Sequence, residues 1–129
     1  MKTENAAENL QPKYVYPLAV WAILIFISSS IPGTSLPPLD MWSADKLIHS
    51  GVFGILAFFS CRAFAHYGNV RSKEKTWVIS LSIIFCLVYA ALDETHQMFV
   101  PNRDASALDL LADALGIAAV HMYWFFRRH

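Results

Sequence analysis

The chain has 129 residues, of which 56% are hydrophobic and 14% aromatic, and its ten basic residues balance its ten acidic ones. Soluble domains run at about 45–50% apolar; here the excess comes in blocks, which points to one membrane domain. Zero net charge and the lack of a basic patch interleaved with aromatics argue against a nucleic-acid partner. Cys61 and Cys86 sit inside apolar blocks without CxxC or Cys/His metal spacing, so they read as inert buried thiols.

In chain order, residues 1–13 are polar and mixed in charge and read as a disordered tail; residues 14–129 form the helical domain. The first apolar block runs from Val15 to Ile31 and meets breakers at Pro32-Gly33 and Pro37-Pro38. The second runs from Asp45 to Tyr67 and gives way to Gly68-Asn69 and a charged stretch from Arg71 to Lys75. The third runs from Thr76 to Val100, ending at Pro101-Asn102, and the fourth from Ser106 to Phe126, ending at Arg127-Arg128-His129. A membrane span takes about 17–25 residues. Blocks two and four reach that length only if His49, Asp109 and Asp113 are inside them.

Spanning segments must satisfy their backbone internally, and the alternation of a membrane barrel is missing. The prediction is an all-α membrane protein, a bundle of four transmembrane helices. Ser28-Ser29-Ser30 offers small residues for a signal-peptide cleavage. The long apolar run, with Lys2 and Lys13 offset by Glu4 and Glu8, favours a retained first helix.

Orientation follows the lysines and arginines in short loops. Lys2, Lys13, Arg71, Lys73, Lys75, Arg127 and Arg128, with Arg62 nearby, fall on one side; Lys46 and Arg103 fall on the other. Both termini are therefore expected in the cytoplasm, with loops 32–44 and 99–105 outside.

An ionisable residue at the centre of a membrane helix costs about 2.5–3.5 kcal/mol on insertion scales, so each one requires an account. Asp45 and His49 share a helix face. Ser43 as N-cap and Asp45 as a dipole partner would explain the start of helix two, with Lys46 snorkelling to the interface. His49, one turn deeper, is either a satisfied interior histidine or part of a site. Asp93 and Glu94 lie at the C-terminal end of helix three, where acids oppose the helix dipole. Their structural alternative is an ion pair with Arg103 or Lys46. Ser106 and Asp109 resemble a capping box with Asp in place of Glu. Asp113 lies beyond the reach of that cap, and Gly116 beside it allows another helix to come close.

At 1.5 Å per residue, His49, Glu94 and Asp113 all lie on the order of 6–10 Å below the outer helix ends, which suggests one site built by helices two, three and four. Asp45-x-Leu47-x-His49 also parallels Asp109-x-Leu111-x-Asp113, a faint sign of two related hairpins. His121, beside Met122, Tyr123 and Trp124, reads as an interfacial belt, and Arg62 and His66 as headgroup contacts.

The site is expected to do one of three things. As an enzyme, it uses Glu94 as base with His49, Asp93 and His96 assisting; Arg103 binds a phosphate or carboxylate, Gln97, Lys46 and Asp45 contact substrate, and Asp109 and Asp113 orient it or hold a divalent cation. As a binder, it holds a polar headgroup or peptide stem without reaction. As a structural network, it specifies helix packing or a protein partner. No HExxH-type spacing is present. Ion conduction is disfavoured because the inner half of the bundle has few polar residues. Oligomerisation stays open, since four short helices bury little between them.

Three motifs in this order, Asp45-Lys46-x-x-His49-x-x-x-Phe53, Asp93-Glu94-x-His96-Gln97-x-Phe99-x-Pro101-x-Arg103 and Asp109-x-x-x-Asp113-x-x-Gly116, resemble the VanZ-like family over roughly residues 41–120. The resemblance implies a bacterial cytoplasmic-membrane protein of the cell envelope with a lipid-linked or glycopeptide ligand; the family's namesake is associated with low-level resistance to teicoplanin, which acts outside the membrane. Two positions depart from the family pattern: Asn102 stands where Gly is usual, and Asp113 where Asn is usual.

Overall fold

The computed structural model describes residues 11–36, 42–71 and 73–127. It contains four helices, α1 (Pro12–Ser29), α2 (Trp42–Val70), α3 (Lys75–Gln97) and α4 (Ala107–Phe126), with one 3-10 turn at Gly33–Ser35. All four are long and apolar enough to cross a membrane, and no strand occurs among the described residues. The protein is thus the all-α, four-helix membrane bundle expected from the apolar blocks. The expected tail lies outside the described residues as far as residue 10, as do Pro37-Pro38 and Arg128-His129.

Local chemistry moves the ends by a few residues. Helix α1 starts at Pro12, before the apolar run, because proline at the first helical position has its φ already set. Helix α2 has 29 residues, about 43 Å at 1.5 Å each, so it outreaches a hydrocarbon core of about 30 Å. Ser43 lies inside α2, which corrects its expected role as N-cap. Helix α3 stops at Gln97; Asn102 then adopts a left-handed φ of 56° and turns the chain toward α4. Ser106 does cap α4, its Oγ accepting the Leu108 N–H at 3.2 Å.

Successive helices run up and down, so α2 and α4 are parallel. The end where α2 and α4 begin and α1 and α3 finish is called the upper end below. Helices α2 and α4 form the closest pair: a Cβ on Gly116 would overlap the Ser50 carbonyl. Residues 64 apart meet between the hairpins, Ser29 with Asp93 and His49 with Asp113. That is the arrangement a parallel repeat of the α1–α2 and α3–α4 hairpins produces.

Phe53, Leu56, Ala57, Cys86, Ala90 and Ile117 are buried in the centre. Val20, Ile23 and Leu24 on α1, Ile84, Val88 and Leu92 on α3, and Leu111 and Leu115 on α4 are exposed. Apolar surface this extensive is the mark of a lipid-facing exterior.

The lower half holds a polar network that the sequence reading placed elsewhere. His121 is buried, not interfacial. Its Nε2 lies 2.8 Å from Ser82 Oγ and its Nδ1 2.8 Å from the Ile117 carbonyl, and Ser82 lies 2.7 Å from Ser60 Oγ. Helical phase explains the correction. His121 and Trp124, three residues apart, face inward, while Met122 and Tyr123 face out.

Candidate functional site

Four carboxylates, a histidine and a lysine meet at the upper end between α2, α3 and α4. Lys46 Nζ reaches Asp109 and lies 3.1 Å from Asp45 Oδ2. It pairs with these two acids at the upper end of α2. His49 Nδ1 is 3.1 Å from Asp113 Oδ1, and its Nε2 is 3.9 Å from Asp109 and 4.0 Å from Asp45. Asp113 is wholly buried, and Asp93, Glu94 and Asp109 nearly so. Asp113 sits six residues after Ala107, about 9 Å along the helix, so the cluster lies near the upper end of the bundle rather than at its middle.

Glu94 and Asp109 exchange the roles that spacing assigned them. Asp109 does not complete a capping box; its carboxylate goes to Lys46. Glu94 Oε2 instead accepts the Ser106 N–H at 3.1 Å. Helix α3 therefore supplies the acid that a capping box usually takes from within its own helix. This contact places a carboxylate at the N-terminus of α4, where the dipole favours negative charge. It outweighs the unfavourable position of Glu94 at the end of α3, and neither Arg103 nor Lys46 is the ion-pair partner expected for it.

Asp93 faces the other way. It accepts from Ser29 Oγ of α1 and, at 3.1 Å, from Gln97 Nε2, which also donates to Ser29 at 3.3 Å. Arg103 donates from Nε to the Ile31 carbonyl at 3.1 Å and from Nη2 to the Ser28 carbonyl at 2.8 Å. A cation at the last carbonyls of α1 complements its dipole. His96 leaves the group: its Nε2 lies 2.9 Å from Ser30 Oγ and its ring stacks on Phe26. The four residues expected to handle protons therefore separate. Glu94 and His49 stay together, Asp93 turns to α1, and His96 lies beyond it.

A cavity of about 290 Å³ opens among α1, α2 and α3 at this end. Asp45, His49, Asp93, Gln97 and Arg103 form its polar wall; Ile25, Ile48, Val52 and Phe53 are among its apolar lining. The first-helix serines are the residues that sequence reasoning missed, because they were weighed only as a cleavage site. Their signal was three hydroxyls closing an apolar helix at the level of Asp93. A larger cavity, about 630 Å³, lies at the lower end among Tyr14, Arg62, His66, Lys73, Lys75 and Trp124, with no carboxylate among the described residues that line it.

The sequence model of the VanZ/LLP1 family matches residues 14–128. The chain belongs to this family. No curated protein and no solved structure matches it. The two departures from the VanZ-like pattern have local explanations. Asn102 occupies the left-handed conformation for which Gly is the default residue and Asn the common substitute. Asp113 uses Oδ1 for His49, a contact that an Asn amide oxygen could also make.

Proposed function

We propose that this protein is a bacterial cytoplasmic-membrane protein, both termini inside, whose upper end faces outward and binds the polar head of an envelope amphiphile. The ligand class is a lipid or lipid-linked peptidoglycan-precursor-type molecule carrying an amine and an acidic group. The observation that carries this reading is the two-sided cavity: Arg103 and Asp45 supply opposite charges on one wall, and Ile25, Ile48, Val52 and Phe53 line the rest. An acidic group suits the guanidinium fork, an amine suits Asp45 Oδ1, the oxygen that Lys46 does not hold, and the apolar lining suits the start of an acyl or prenyl chain. The teicoplanin link of the VanZ-like family fits an outward-facing site for such a molecule.

The test is native mass spectrometry of the protein from nanodiscs containing phosphatidylethanolamine, phosphatidylglycerol or an undecaprenyl-linked precursor. One of the amine-bearing lipids should stay bound, and Arg103→Ala should reduce its occupancy at least fivefold. Equal retention of all lipids by wild type, or by Arg103→Ala and wild type alike, defeats the reading.

A second reading is structural, and one observation favours it: Glu94 and Arg103 each bond the end of a different helix. In that case the network serves packing or a protein partner. Arg103→Ala then lowers folded protein without any separable change in lipid retention.

A further inference from the structure

The upper cluster contains two triads that share His49: Asp45, His49 and Asp109, and His49, Glu94 and Asp113. Each triad brings one ligating atom per residue within 4.8 Å of the others. They are not equivalent. In the first, the Lys46 ammonium already bridges Asp45 and Asp109 and takes the place of a counter-cation. In the second, both carboxylates are more than nine-tenths buried, and each keeps one oxygen without a hydrogen-bond partner among the described residues, Glu94 Oε1 and Asp113 Oδ2. A buried carboxylate oxygen left unpaired is costly, and more so for a charged group.

We propose that His49, Glu94 and Asp113 form a binding site for one divalent first-row transition ion. Two carboxylates balance the ion's charge, so the filled site is neutral in a low-dielectric setting where net charge is expensive. One imidazole among the ligands favours Zn²⁺ or Mn²⁺ over Mg²⁺ and Ca²⁺. Metal–ligand bonds of about 2.0–2.2 Å ask the triad to close by roughly 1 Å, within reach of side-chain rotation. A contact that would orient one ligand is in place, since the other Glu94 oxygen is fixed by the Ser106 N–H. This moves the metal role from the sequence-based pair Asp109 and Asp113 to a set in which Lys46 holds Asp109 back. Three protein ligands leave a coordination position unfilled, and His49 also lines the upper cavity. The proposal does not depend on the lipid reading, because the ion is probed alone.

The full chain, stripped with chelator in lipid nanodiscs, is dialysed against Zn²⁺ or Mn²⁺ and its metal content measured by mass spectrometry. About one ion per chain is expected. Glu94→Gln and Asp113→Asn should each weaken binding more than tenfold, while Asp104→Asn, an exposed acid of the α3–α4 loop outside both triads, should stay within about threefold. Wild type without stoichiometric metal, or triad variants that bind as well as wild type, overturns the proposal. Should the triad variants fail to fold, infrared spectra of wild type decide it. Metal should remove the stretch of buried neutral carboxyl groups if any is present, and should shift the carboxylate bands. Carboxyl bands unchanged by metal mean that protons neutralise the site, and the proposal falls.

Discussion

Two of the buried polar groups among the described residues lie one above the other, and they solve the problem of polarity in a membrane differently. The lower group, Ser60, Ser82 and His121, consists of two hydroxyls and an imidazole; both His121 nitrogens have partners. The upper group carries four carboxylates beside one lysine and one histidine, two of its oxygens have no partner, and it adjoins a cavity. The lower group has no unmet need, so it reads as packing. The upper group leaves two buried carboxylate oxygens unpaired among the described residues, which supports the proposal that function lies there. Lipid-facing helices gain little hydrophobic drive toward one another, so small residues and polar contacts must hold them; the lower group is one such contact.

The largest effect should come from breaking what lies between the groups. Gly116→Val puts side-chain atoms into the Ser50 carbonyl, separates α2 from α4 and disturbs both groups. A loss of about 3 kcal/mol should appear as a sharp fall in monodisperse protein on size exclusion. A well-behaved Gly116→Val variant with normal melting would mean that the α2–α4 approach is less constrained than it looks.

Ser82→Val tests the lower group alone. It removes the partner of His121 Nε2 and should cost about 2 kcal/mol, read as a lower melting temperature in detergent, with lipid retention and metal content unchanged. A loss of either binding property at full stability would make the lower group functional and erase the contrast.

Asp113→Asn sharpens the contrast from the other side. It keeps an oxygen for His49 and removes a buried charge, so metal-free stability should change by less than about 1 kcal/mol, while metal binding falls. Loss of the fold instead would place the upper group with the lower one. Asn102→Gly should have the smallest effect, a gain or loss of a few tenths of a kcal/mol, because the turn at φ 56° suits both residues. A large loss would show that the Asn102 side chain contributes beyond its backbone.

Reading capping from spacing was reliable for Ser106 and misleading for the acids. Asp109 had the capping-box interval and Glu94 had none, yet Glu94 bonds the Ser106 N–H and Asp109 binds Lys46. An i, i+3 interval describes one helix, whereas the N-terminus of α4 is also open to α3. Arg103 is a similar case: its charge was legible, but its partners are carbonyls at and just past the end of α1, 75 and 72 residues away.

By itself the sequence determined four spanning helices, their ends within a few residues and the shared depth of His49, Glu94 and Asp113, because hydrophobic length and rise per residue are properties of single segments. Tertiary structure alone decided which acid meets which partner and that His121 faces inward beside Ser82. It also decided that Glu94 and Asp113 are left with unsatisfied oxygens. Those outcomes depend on helical phase and on the approach of α2 to α4 at Gly116, which no one segment encodes.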